Sequence, residues 1–211
     1  MCLMLFNPTL NPIPSSYISR AFAINHNGFG AMWAENGKIE TIQGMYNESE
    51  IHDIFKMLDG KVYAAHFRMA TSGRVNKEMT HPFPVLTVKE DDVDLYVMHN
   101  GVFSNYEPTD VLSDTAVFAK SMSGVFRNIK TTEPLWEEDS IKELGDHISK
   151  SNKVLFMRGD GKVSIINEDA GLYENGVWYS NRYSIADPYR AIYTGIYDMS
   201  VFDDLIEEMC N

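Results

Sequence analysis

Apolar positions along the chain switch between a two-residue and a three-to-four-residue rhythm, and the switches mark the expected elements. Leu3 to Phe6 is a short apolar run that reads as a strand, closed by Asn7-Pro8. Tyr17, Ile18, Ala21 and Phe22 then recur at helical spacing behind Ser15 and Ser16, which are expected to cap that helix. Gly28 to Ala34 reads as a strand, Glu35-Asn36-Gly37 as a tight turn and Lys38 to Ile42 as the return, because Asn-Gly supplies the positive φ such a hairpin needs. Ile51, Ile54, Phe55 and Leu58 share one face of a helix from Ser49 to Leu58, stopped by Asp59-Gly60.

The second half repeats the alternation. Lys61 to Met69 reads as a buried strand, Thr71 to Leu86 as a long loop rich in Gly, Pro and Asn, and Val93 to His99 as another strand. Ser113-Asp114-Thr115 is a capping signal for a helix carrying Val117, Phe118, Met122, Val125 and Phe126, and a further helix is expected from Ser140 to Ser149. Val154 to Met157 and Lys162 to Ile166 flank Gly159-Asp160-Gly161 as a hairpin, Val177-Trp178-Tyr179 makes one more strand, and Ser200 to Met209 is an acidic amphipathic helix. With no internal repeat, linker or low-complexity tract, residues 1–211 read as one domain. Hairpin-joined strands with helices in two clusters give an α+β pattern rather than an alternating βαβ one.

Charge narrows the function. Lys plus Arg total 18 against 30 Asp plus Glu, a net charge of −12. That argues against nucleic acid as a partner, since phosphate affinity comes from Lys and Arg displacing counterions. No apolar stretch approaches the roughly 18–20 residues that span a bilayer, and the opening Met-Cys-Leu-Met-Leu-Phe has no charged leader before Asn7-Pro8; no membrane association and a cytoplasmic location are expected. Cys2 and Cys210 are the two cysteines, too few for a disulfide framework and without a C-x-x-C pair for metal. Gly28-Phe29-Gly30 lacks the third glycine of a dinucleotide loop and there is no Walker loop, so no cofactor is expected.

Four islands could carry chemistry: Cys2, His66 through Gly73, His99-Asn100-Gly101, and Ser113-Asp114-Thr115. Each alone has an ordinary reading, as a terminal thiol, a salt-bridged strand end, a turn and a helix cap. Cys2 is distinctive in one respect. Removal of Met1 would place a thiol and a free α-amine on the same residue, and an α-amine with a reference pKa of about 7.7–8.0 can serve as the base for its own nucleophile near neutral pH.

The order of these islands, together with Asn25-His26-Asn27-Gly28-Phe29-Gly30, Thr80-His81-Pro82-Phe83, Asn105-Tyr106 and Trp178-Tyr179-Ser180-Asn181, resembles the class II glutamine amidotransferase domain of the N-terminal-nucleophile hydrolases. Among its members the chain looks most like the small stand-alone bacterial and phage-type forms. The resemblance implies a four-layer αββα sandwich with Cys2 opening a strand in the middle of one sheet. It also implies hydrolysis of glutamine to glutamate and ammonia, with the ammonia passed to a separate acceptor enzyme. By the same resemblance Cys2 is the nucleophile, and the side-chain NH2 of Asn100 and the backbone N–H of Gly101 form the oxyanion hole. Arg68 holds the substrate carboxylate, Asp114 its ammonium, and Thr71 makes a second contact to the amino-acid end, on a loop kept tight by Gly73.

Met69 departs from the aromatic residue that often follows the Arg, and Ser72 stands where some synthases carry His. His66 and His99 read as buried histidines hydrogen-bonded to backbone, His81 as a residue that shapes its loop, and Cys210 as a residue of the terminal helix far from the site. Three alternatives stay open at this point: hydrolysis of another γ-glutamyl amide, a silent fold used for binding or assembly, and a papain-like Cys-His-Asn site from Cys2, His99 and Asn100. The last lacks the flanking signature around Cys2.

Overall fold

A computed structural model describes residues 2–70 and 74–182. In chain order the strands are β1 (Leu3–Asn7), β2 (Phe29–Glu35), β3 (Lys38–Met45), β4 (Tyr63–Phe67), β5 (Phe83–Leu86), β6 (Leu95–Asn100), β7 (Lys153–Arg158), β8 (Val163–Ile166), β9 (Leu172–Glu174) and β10 (Val177–Tyr179). The helices are α1 (Ser15–Ile24), α2 (Glu48–Leu58), α3 (Val88–Asp91), α4 (Asp114–Ile129) and α5 (Glu138–Ile148). One sheet has six strands in the order β3-β2-β4-β1-β10-β9 and the other four in the order β5-β6-β7-β8. Among the described residues every strand pairing is antiparallel.

Side-chain alternation sorts the apolar residues into three cores. Leu3 and Leu5, Ala31 and Trp33, Tyr63, Ala65 and Phe67 pack on α1 and α2. The neighbours Met4, Met32 and Ala64 point the other way, against Met98, Leu155 and Met157 of the second sheet. That sheet's far side, Leu95, Val97, Val154 and Phe156, packs on Ala116, Phe118 and Phe126 of α4 and Ile148 of α5. Helices, sheet, sheet and helices therefore stack as four layers, as the resemblance implied, and β1 lies in the interior of its sheet.

Local signals act where expected with few exceptions. The β2–β3 turn has Asn36 at φ +53° and Gly37 at φ +79°, the left-handed pair that Asn-Gly favours. Ser113 caps α4, its hydroxyl accepting from Ala116 N–H. At α1, however, Pro14 holds the cap position with no side-chain cap bond, and Ser15 and Ser16 begin the helix itself. Val125, one of the apolar residues carried by α4, is exposed. The expected loop from Thr71 to Leu86 contains β5, and β9 and α3 were not anticipated. The expected Ser200–Met209 helix and the placement of Cys210 lie outside the described residues.

Candidate active site

Strand register brings the first two site residues together. β1 and β4 pair Met4 with His66 and Leu3 with Phe67, and one step further the same register sets Cys2 opposite Arg68. Both continue the alternation of Met4 and His66, the residues that face the second sheet. Arg68 is buried just past β4, its N–H still donating to Gly28 O at 2.8 Å. Its guanidinium Nη1 donates to Arg74 O at 2.9 Å. The Cys2 thiol sits on the next residue, donating to Met69 O and accepting from Met69 N–H, each at 3.2 Å. Burial raises the thiol pKa, opposed by the Met69 N–H and by nearby positive charge, including Arg68. Burial lowers the Arg68 pKa, opposed by negative charge at Cys2, Tyr46 and Asp114, so those three groups surround the guanidinium closely enough to be felt.

The facing sheet delivers Asn100 and Gly101 at the end of β6. Gly101 has φ +149°, and a Cβ there would collide with Asn152 Oδ1 and come within 2.9 Å of His99 Nε2, so the position admits glycine alone without rearrangement. Beneath it the His99 ring stacks on Phe103 with centroids 3.8 Å apart. His99 Nε2–H donates to Asn152 Oδ1 at 2.9 Å, since a carbonyl oxygen can only accept, which leaves Nδ1 to accept from Thr115 Oγ1–H at 2.9 Å. Asp114 is buried in the first turn of α4. Its Oδ2 accepts from Phe103 N–H at 2.9 Å and its Oδ1 from Thr115 N–H at 2.8 Å. The carboxylate thus fastens the segment that follows Gly101 to the start of α4.

Two contacts tie the sheets together at this end. His66 Nε2–H donates to His99 O at 3.0 Å, and the Asn100 side-chain amide lies 2.7 Å from Ser180 Oγ, just beyond β10. Ser180 Oγ also accepts from Met4 N–H at 2.9 Å, and Asn181 Nδ2–H donates to Cys2 O at 2.7 Å. The segment after β10 therefore holds the backbone of Cys2 and the side chain of Asn100 at once. Among the described residues, Asn100 Oδ1, Asn181 Oδ1, His66 Nδ1 and both His81 ring nitrogens are buried without a hydrogen-bond partner. Burial pushes the pKa of His66 down to about 3 and that of His99 to about 4, and that of His81 well below the usual histidine range. None of the three is poised as a base near neutral pH.

Cys2 and Asp114 are each near enough to Arg68 for their charge to be felt there, Asn100 at the end of β6 is tied to the segment after β10 that also holds the Cys2 backbone, and Thr71 with Gly73 lies outside the described residues. Four polar residues that shape the site had been assigned no role from the sequence: Asn27, Asn152, Ser180 and Asn181. Asn27 accepts from Ala70 N–H at 3.0 Å and donates its own N–H to Arg68 O at 2.9 Å, framing the arginine. Asn27, Ser180 and Asn181 belong to the segments that carry the resemblance, which marks them as near the site. Asn152 sits in a short turn before β7 and offers no comparable signal.

No protein-family model and no curated protein sequence matches the chain. Solved structures do. Glutamine phosphoribosylpyrophosphate amidotransferase from B. subtilis, complexed with ADP and GMP, superposes with a TM-score of 0.52 at 16% identity, over 85% of this chain and 41% of its own. A structure described as the allosteric regulatory enzyme of purine biosynthesis gives 0.52 at 17% identity, over 84% of this chain and 40% of its own. The chain has a glutamine amidotransferase fold. It spans about two-fifths of the length of these two proteins, and at such identity the amidotransferase fold is what they share. A predicted glutamine amidotransferase from Pseudomonas aeruginosa PA01 also matches, with a TM-score of 0.46 at 14% identity over 84% of this chain and 78% of its own. Among the described residues no helix is long and apolar enough to cross a membrane.

Proposed function

We propose that the chain hydrolyses the side-chain amide of glutamine, with Cys2 as nucleophile. The observation that carries this reading is the opposition of Cys2 and buried Arg68 across β1 and β4, within the amidotransferase fold. After loss of Met1, the α-amine of Cys2 takes the thiol proton and the thiolate adds to the amide carbon of glutamine. The carbonyl electrons move to oxygen, where the Asn100 side-chain NH2 and the Gly101 N–H receive the charge. The tetrahedral species collapses, the carbon–nitrogen bond breaks, and the Cys2 ammonium returns its proton to the leaving ammonia. Water then attacks the γ-glutamyl thioester and releases glutamate and the thiol.

Arg68 supplies a planar two-pronged donor for the substrate carboxylate. Asp114, near Arg68, offers the remaining lone pairs of its carboxylate to the substrate ammonium while it anchors Phe103 N–H. The ammonia is proposed to pass to an acceptor enzyme. Burial raises the thiol pKa and so calls for an adjacent base, which the freed α-amine of Cys2 supplies. With Met1 retained, the Cys2 nitrogen is a peptide N–H and the fold is left to bind rather than to cleave.

Intact mass and glutamate release from glutamine test the proposal together. Protein lacking Met1 is expected to release glutamate, and Cys2→Ala to abolish release while still binding glutamate by calorimetry. Processed wild-type protein that neither binds glutamine nor releases glutamate, alone or with candidate acceptor enzymes, would overturn it.

A further inference from the structure

Ser180 is completely buried directly after β10 and is fixed to β1 by two bonds, its N–H donating to Met4 O at 2.8 Å and its Oγ accepting from Met4 N–H at 2.9 Å. The Asn100 amide approaches the same Oγ at 2.7 Å. With Nδ2 turned toward Ser180, the hydroxyl oxygen receives two donors, its own proton finds no acceptor in the pair, and Asn100 Oδ1 is left buried without a partner. An unpaired buried acceptor carries the whole desolvation penalty of its group. The oxygen and nitrogen of an amide occupy equivalent positions, so the bonds available to them decide its direction. Turned the other way, Asn100 Oδ1 accepts the Ser180 O–H, so that the carbonyl oxygen and the hydroxyl proton are both paired, and the NH2 group takes the buried position facing away from Ser180, where no acceptor among the described residues meets it.

We propose that Ser180 is the positioning residue of the oxyanion donor: its hydroxyl donates to Asn100 Oδ1 and thereby turns the Asn100 NH2 away from Ser180, into a position where no acceptor among the described residues competes with a substrate oxyanion. The assignment rests on the glutaminase reading of the site for its purpose and on the hydrogen-bond geometry for its direction. Ser180 does not touch substrate in this scheme. Because it is anchored to Met4, two residues from Cys2, it also sets the donor in register with the nucleophile across the two sheets.

The direction of the amide is readable without any activity. Neutron diffraction from crystals of the wild-type protein grown in heavy water is expected to show deuterium on the Asn100 amide atom that faces away from Ser180; deuterium on the facing atom overturns the proposal. Kinetics read its consequence. Ser180→Ala frees the amide to turn and is expected to lower kcat by about 10-fold, short of the roughly 100- to 1,000-fold typical of deleting an oxyanion donor. KM and glutamate affinity should stay within twofold. Binding of the γ-aldehyde analogue of glutamine, which adds the thiol to form a tetrahedral centre, should weaken in step with kcat.

In an Asn100→Ala background the same substitution should have no further effect, whereas a merely structural role would lower stability and activity equally in both backgrounds. Ser180→Cys, which keeps a weaker donor, should fall between the two and also serves if the alanine variant does not fold. An unchanged kcat in Ser180→Ala, or additive losses in the double variant, would refute the positioning role. Failure of wild-type protein to release glutamate would instead remove the glutaminase reading and leave the neutron result to decide the amide's direction.

Discussion

Gly101 and Arg68 place opposite demands on single positions. At Gly101 the positive φ and the packing of Asn152 and His99 leave no space for a methyl group. Gly101→Ala is expected to cost about 1–3 kcal/mol in urea unfolding and to displace the neighbouring Asn100, so turnover falls with it. A variant with unchanged unfolding and unchanged kcat would show that this backbone is more permissive than its contacts indicate. Arg68 is demanding in its side chain instead. Arg68→Lys replaces a fork by a point charge in a buried position, and glutamine affinity is expected to drop by about 10-fold or more with the smaller effect on kcat. Calorimetric titration beside steady-state kinetics separates the two, and a loss confined to kcat would move Arg68 from binding to chemistry.

Helix α4 carries the proposed ammonium partner and a loop anchor on one residue. Ser113 caps it through Ala116 N–H, and Asp114 in its first turn receives the N–H groups of Phe103 and Thr115. In Asp114→Asn one carboxylate oxygen becomes an NH2 group that cannot accept, so a buried backbone N–H loses its partner at a cost of about 1–3 kcal/mol. The variant should therefore both unfold at lower denaturant concentration and bind glutamine more weakly. Weaker binding with unaltered stability would assign Asp114 to substrate alone, and the reverse to the loop alone. The structure of β5 follows the same logic of local and distant demands. Pro84 can occupy that strand because β5 is the edge of its sheet, where a missing N–H breaks no ladder.

Over the whole molecule, the three buried histidines link stability to pH. His66 and His81 lie with ring centroids 4.0 Å apart between the sheets, and His99 lies beneath Gly101. Their folded-state pKa values are below the unfolded one, near 6.5, with His66 at about 3 and His99 at about 4. Between those limits the unfolded chain binds more protons than the folded one, so stability is full above about pH 6.5 and declines as the pH falls toward 4. Carboxylates titrate mostly below this window, which isolates the histidine contribution between pH 6.5 and 5. Urea unfolding at pH 7, 6 and 5 is expected to show falling midpoints. A flat profile over that range would mean that the cluster accommodates protons in the folded state.

The hydrophobic rhythm alone places β1, the β2–β3 hairpin, α2, α4 and the β7–β8 hairpin, because each writes its buried face into a stretch of contiguous residues. The order of Cys2, His66 to Ala70, His99 to Gly101 and Ser113 to Thr115 is equally a property of the linear chain. Strands β5 and β9 were not legible in it: the first is broken by Pro84 and the second has three residues, so both depend on the strand beside them. The contacts of the site are likewise tertiary. Only strand register sets Cys2 opposite Arg68, and only the stacking of two sheets brings Ser180 to Asn100, 80 positions apart in sequence. Asn152, with no pattern around it, matters because Gly101 has no Cβ where the two chain segments meet. Periodic burial is encoded locally, whereas a hydrogen bond between distant polar residues exists only after the layers have packed, and it is such bonds that hold the proposed nucleophile and oxyanion donors in place.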